Sequence, residues 1–113
     1  MKATLLVALL ALASLPAYAG GDAGAGAQKS KACAACHGAN FDTPISPDIP
    51  RLAGQHEDYL ARALSDYKSG ERKNPIMDGQ VGALSAQDIL DIAAYVSSLK
   101  GKLKIMPLQR FAQ

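Results

Sequence analysis

The 113-residue chain has no tryptophan, only two phenylalanines and four tyrosines, and only two cysteines. Once the opening segment that carries Tyr18 is set aside, its aromatic residues are Phe41, Tyr59, Tyr67, Tyr95 and Phe111. That is little material for a core. Small domains with thin cores usually gain stability from disulfides, a metal or a cofactor. Two cysteines allow one disulfide at most, so the composition calls for apolar mass that the chain does not encode. Neither sign of charge dominates. The formal net charge is +2 and acidic and basic residues interleave over most of the chain, which excludes a nucleic-acid footprint. Alternating strand patterns and internal repeats are missing too. No apolar run reaches the roughly 20 residues that a membrane-spanning helix needs.

What is present begins with a leader pattern. Lys2 precedes an apolar run from Leu5 to Leu15, and Pro16-Ala17-Tyr18-Ala19 offers small residues at both cleavage-determining positions. This reads as a secretory signal peptide, residues 1–19, cut after Ala19. Gly20 stands where a lipid-anchored protein would carry cysteine, so the expectation is one exported domain, residues 20–113, with no stable membrane insertion.

Residues Gly20 to Gly26 read as a flexible lead-in that turns into helix around Ala27 to Ala35. From Gly38 to Gly54 the prolines Pro44, Pro47 and Pro50 preclude regular structure. A loop of that length inside a small domain is uncommon unless it wraps a ligand. Helix is expected over Gln55 to Ser69, where Tyr59, Leu60, Ala63, Leu64 and Tyr67 recur at helical steps and Gly70 can end it. A polar loop, Glu71 to Leu84, holds Pro75 and Met77. The last helix starts at Ser85, capped with Asp88, and buries Ile89, Ile92, Ala93, Val96 and Leu99. The expected fold is all-α.

The chemistry is concentrated in Cys33-Ala34-Ala35-Cys36-His37, the spacing of covalent haem attachment. Both thiols can add to the two vinyl groups on one porphyrin edge, and the next residue then falls beneath the iron as its proximal ligand. A thioredoxin-like dithiol would need a strand-and-helix fold that the pattern lacks. A zinc site needs four ligands, and the chain has only two thiols and two histidines to offer. Candidates for the sixth iron ligand are Met77, Met106 and His56. Met77 is the strongest, because in a proline-bearing loop it has no helical or strand face to pack on. Met106 lies in the basic tail, and a lone histidine at a helix start, as His56 would be, is usually a solvated surface group.

Taken in order, three stretches resemble class I cytochromes c, and within them the bacterial cytochrome c4, c5 and c553 group. They are Cys33-Ala34-Ala35-Cys36-His37-Gly38-Ala39, then Ile49-Pro50-Arg51-Leu52-Ala53-Gly54-Gln55-His56, then Arg72-Lys73-Asn74-Pro75-Ile76-Met77 leading into Leu84-Ser85-Ala86-Gln87-Asp88-Ile89. The closing helix around Asp91-Ile92-Ala93-Ala94-Tyr95 is similar as well. The resemblance implies a small class I fold of three or more helices wrapped around one covalent haem c, with Met77 as distal ligand. It implies that the Pro50 carbonyl accepts from the other ring nitrogen of His37. It also implies that Gly26 lets the first and last helices cross closely, with Tyr95 as a packing partner. The chain departs from cytochrome c4 in having a single Cys-x-x-Cys-His where that group has two domains in tandem. Its tail from Lys100 to Gln113 carries Lys100, Lys102, Lys104 and Arg110 and no acid.

Those features point to a periplasmic, monomeric carrier of single electrons with no catalytic acid, base or nucleophile. Its expected partners are redox proteins such as a membrane oxidoreductase complex, a terminal oxidase or an exported dehydrogenase. Lys31, Arg51, Lys68, Arg72 and Lys73 are candidate rim charges for brief encounters. Two other readings stay open: a haem sensor in which a ligand displaces Met77, and an electron-delivery subunit of a larger exported enzyme held by the basic tail.

Overall fold

In the computed structural model the described residues are 20–104. The expected leader and the residues from 105 onward, with Met106, Arg110 and Phe111, lie outside them. Five helices follow one another: α1 (Ala23–Lys29), α2 (Lys31–His37), α3 (Glu57–Ser69), α4 (Pro75–Val81) and α5 (Ala86–Ser98). No strand occurs among the described residues, as the periodicity requires.

The glycine- and alanine-rich opening is helical where a flexible lead-in was expected. Asp22 caps it, its carboxylate accepting the Ala25 N–H at 3.1 Å. The helix survives its poor propensity because α5 supports it. The backbone N–H of Asp22 donates to Asp91 Oδ1 at 2.8 Å, and Lys29 reaches both Asp91 and Asp88. The single helix expected over Ala27 to Ala35 is two helices. Ser30, 1% exposed, ends α1 by donating its N–H to the Gly26 carbonyl, and its own carbonyl accepts from Cys33 and Ala34 to start α2.

Gly26 is where α1 meets α5. A Cβ on it would lie 1.9 Å from the Asp91 carbonyl oxygen and 2.8 Å from Tyr95 Cβ, so only hydrogen permits the approach. This is the close crossing, with Tyr95, that the resemblance implied. On the other side, α3 packs against α5 and α4 against α3. The core is Phe41, Ala53, Leu60, Ile92, Ala93 and Val96, with Leu52, Leu64 and Tyr95 partly buried against it.

The end of α3 and the start of α5 follow from their sequences. Gly70 ends α3 in the left-handed region at φ 86°. Ser85 and Asp88 cap α5 reciprocally, each side chain accepting the other's backbone N–H. The expected loop from Glu71 to Leu84 is corrected by α4. Asn74 and Pro75 are not loop punctuation there but a cap and a first helical position. Asn74 Oδ1 accepts from the Ile76 and Met77 N–H groups at 3.0 and 3.2 Å, and the proline ring presets the helical φ of a residue whose N–H would have no partner anyway.

The proline-bearing stretch between α2 and α3 is an ordered loop. Asn40 Oδ1 accepts from Asp42 and Thr43, the Phe41 carbonyl accepts from Leu52 and Ala53, and Gly54 donates to the Val96 carbonyl of α5. The buried Asp42 accepts the Lys102 N–H at 2.8 Å, which ties the segment after α5 to this loop.

Two predictions come from the α1–α5 contact. Gly26→Ala should destabilise the protein by about 1–3 kcal/mol, because overpacking a tight contact forces backbone shifts. Thermal denaturation should show a Tm lower by ~4 °C or more, and an unchanged Tm would contradict the crossing. The second concerns acid. Hydrogen bonding to Lys29, then to the Asp22 N–H and Gln87, holds the Asp91 carboxyl at about 2, below its ordinary value of 3.8. A depressed carboxylate stabilises above its unfolded pKa, and that contribution is lost as pH falls through the folded one. Asp91→Asn should lower Tm at neutral pH and flatten its decline between pH about 4 and about 2, as measured by Tm against pH for the two proteins.

Candidate functional site

The helical register of α2 places Cys33 and Cys36 one turn apart, and His37 closes the helix. All three line a cleft of about 460 Å³ with Met77 of α4. Its walls are largely apolar, supplied by Leu52, by Leu60, Ala63 and Leu64 of α3, and by Ile92 and Val96 of α5. Both thiols are free and half-buried. Burial pushes the Cys33 thiol up, keeping it neutral in the folded chain.

His37 is 6% exposed, and its Nδ1 lies 2.9 Å from the Pro50 carbonyl oxygen. A carbonyl only accepts, so Nδ1 carries the hydrogen, and in the neutral ring that leaves the lone pair on Nε2. Gly38 turns the chain back after the histidine at φ 93°, and a Cβ there would lie 2.2 Å from the Thr43 carbonyl oxygen. The loop carrying Pro50 is thereby folded under the imidazole.

The cleft brings together Cys33, Cys36, His37, Pro50 and Met77. It does not include His56, which is the exposed residue preceding α3. Met77 is half-buried on a helix rather than in a loop, so it does have a helical face, and that face lines the cleft. Of the five candidate rim charges, Arg51 and Arg72 line the cleft. Lys68 instead donates to the Gly82 carbonyl at 2.9 Å, which holds the end of α4 to α3. Arg72 lies over the Tyr67 ring at 5.2 Å and approaches the Tyr59 hydroxyl at 3.5 Å.

Phe41 is a site residue that the pattern of the sequence does not reveal. Its ring is 2% exposed and stacks on His37, with centroids 6.5 Å apart and planes 15° from parallel, while Tyr95 meets its edge. Its backbone sits at φ 57°, a left-handed conformation that costs a bulky residue about 1–3 kcal/mol. Only its place as an aromatic in a loop, four residues past a candidate ligand, hinted at a role.

Two uncommitted thiols, an imidazole with one nitrogen free, a thioether and apolar walls are a donor set that fits covalently attached haem. Ile76 and Tyr59, which line the cleft, are 67% and 49% exposed, large apolar surface of the kind a flat apolar ligand covers.

Comparisons with known proteins agree. The family model Cytochrome c matches residues 22–100. Cytochrome c4 of Pseudomonas aeruginosa is 48% identical over 98 residues, which cover 85% of this chain and 48% of that protein. Cytochrome c-554(548) of Halomonas halodenitrificans is 42% identical over 81 residues, covering 69% of this chain and 96% of that one. The crystal structure of reduced cytochrome c4 from Pseudomonas stutzeri matches with a TM-score of 0.68 and 44% identity over 74% of this chain and 48% of that one. The chain thus spans about half the length of the cytochrome c4 relatives it matches. With most of its described length matched to the family model and its helices superposing on a solved member, this chain belongs to the cytochrome c family, with the all-α class I fold and haem c as its cofactor.

Proposed function

We propose that the chain is an exported, single-haem carrier of electrons, in which Cys33 and Cys36 hold the porphyrin by thioether bonds and His37 and Met77 ligate the iron. The observation that carries this reading is the convergence of all four side chains on one apolar cleft. The single Cys-x-x-Cys-His in the sequence supports one haem. The near-complete coverage of the Halomonas halodenitrificans relative supports a unit of this size standing alone. The leader pattern of residues 1–19 supports export to the periplasm, and no helix among the described residues is long and apolar enough to cross a membrane.

Bound haem supplies a one-electron ferric/ferrous couple, so one electron is taken from a donor protein and one passed to an acceptor in each cycle. The protein's part is to hold and shield. The Pro50 carbonyl keeps the proton on His37 Nδ1, which orients the ring, raises its basicity and leaves Nε2 for the metal. Met77 would hold the iron with its thioether, which would close the site to exogenous ligands and favour the reduced state. The residues of α3 and α5 exclude water from the cleft. No side chain need gain or lose a proton in the transfer. Arg51 and Arg72 give the cleft positive charge for brief contacts with redox partners. Such partners would be a membrane oxidoreductase complex, a terminal oxidase or an exported dehydrogenase, each meeting the carrier as a monomer.

The test is expression of the full chain in bacteria with haem-attachment machinery, followed by mass and absorption measurements. The expected product begins at Gly20, carries one covalent haem and shows in its oxidised form the weak long-wavelength sulfur-to-iron band. Met77→Ala should abolish that band and admit carbon monoxide to the reduced protein. Attached haem without the band in the parent protein would move the reading to a ligand-binding or sensor role.

A further inference from the structure

Resting on the proposed His37 ligation, we infer that Phe41 is a positioning residue that sets the plane of the proximal imidazole and so tunes the iron. A hydrogen bond at Nδ1 fixes one direction of the ring but leaves the ring free to rotate about that bond, because such rotation changes neither its length nor its D–H···A angle. The face of the ring needs a second restraint. Phe41 supplies it, lying 15° from parallel with the imidazole. The Phe41 ring is itself held, buried at 2% exposure with Tyr95 at its edge at 87°. It cannot follow a tilting histidine.

The same residue also positions the acceptor of the hydrogen bond. The Phe41 carbonyl takes the N–H groups of Leu52 and Ala53 at 2.8 and 3.0 Å, and its own N–H donates to the Gly38 carbonyl at 3.0 Å. Leu52 lies two residues beyond Pro50, whose carbonyl meets Nδ1. Phe41 therefore acts on His37 through its ring and on Pro50 through its backbone. With its backbone at φ 57°, Phe41 turns its ring toward the histidine and its carbonyl toward Leu52 and Ala53. Outer groups that orient an axial ligand set its basicity and its angle to the porphyrin, and these alter the reduction potential and the electronic structure of ferric iron.

The experiment compares Phe41→Leu, Phe41→Tyr and Ile89→Ala with the parent haem-loaded protein. Ile89 is buried on α5 and does not line the cleft, so its truncation reports lost packing alone. Three quantities are measured: Tm, reduction potential, and the paramagnetically shifted haem-methyl resonances of the oxidised protein, whose order reports the imidazole plane. Phe41→Leu keeps an apolar side chain but removes the flat face, and should shift the potential and reorder the methyl resonances. Phe41→Tyr keeps the face and should preserve the parent's order. Ile89→Ala should lower Tm with neither shift. If Phe41→Leu fails to take up haem, Phe41→Met, with its more adaptable side chain, replaces it. A Phe41→Leu protein, or Phe41→Met in its place, that loses Tm while keeping the parent's potential and methyl order would overturn the inference and leave Phe41 a core residue. A parent protein without covalent haem would overturn both the ligation and this role, whereas an unaltered spectrum in the variants alone overturns only the role of Phe41.

Discussion

The approach of α1 to α5 at Gly26 is the contact from which the rest of the chain takes its position. With hydrogen in place of a side chain, the two helices touch backbone to backbone across Asp91 and Tyr95. Asp91 then gathers the Asp22 N–H, Gln87 and Lys29 onto one carboxylate that is 3% exposed. A buried charge is costly unless fully hydrogen-bonded, and this one is. Because Ser30 joins α1 to α2 without an intervening loop, the crossing also sets where Cys33, Cys36 and His37 stand relative to the apolar face of α5. The attachment motif is placed by a contact that lies outside it.

The loop after His37 is the second consequence. It is too rich in proline for a helix, yet backbone hydrogen bonds pin it: Gly54 to the Val96 carbonyl, Leu52 and Ala53 to the Phe41 carbonyl, Ile45 to the Cys36 carbonyl. Each bond ties the loop to α2 or α5, or to itself across the turn at Gly38. The loop therefore behaves as part of the scaffold, and the Pro50 carbonyl arrives at His37 as a fixed acceptor. A carrier that changes oxidation state at every encounter gains from such rigidity, since little of the protein has to rearrange with the charge.

Much of this was legible in the sequence where the signal is local. The Cys33, Cys36 and His37 spacing, the Ser85–Asp88 box and Gly70 are all short-range signals, so the motif's place on one helix and both long helices could be read directly. The misses have physical reasons. The start of α1 at Ala23 depends on Asp91, far along the chain, and glycine and alanine show no apolar period to betray it. Helix α4 was hidden because Asn74 and Pro75 are as common in turns as at helix starts, and only the capping bonds to Ile76 and Met77 decide between them. The left-handed backbone of Phe41 follows from tertiary bonds to Leu52 and Ala53, which no local preference of phenylalanine would suggest.

The two sides of the cleft are unequally secured. Under the proposed ligation, the proximal side has a helix held by its thioether attachments, a hydrogen bond to Pro50 and the Phe41 ring near-parallel to the imidazole. Met77 sits on a helix of seven residues, capped by Asn74 and packed on α3, with Ile76 beside it largely exposed. A helix that short draws its stability from packing rather than from its own hydrogen bonds. Lys68, reaching from α3 to the Gly82 carbonyl, is the tie that holds its far end. Local opening favours short, partly exposed elements, so under this ligation exchange at the iron would have its easier route through α4. Under that ligation the same asymmetry would divide the tuning of the site: the proximal scaffold would set the electronic character of the iron, and the packing of α4 on α3 whether the sixth position stays closed.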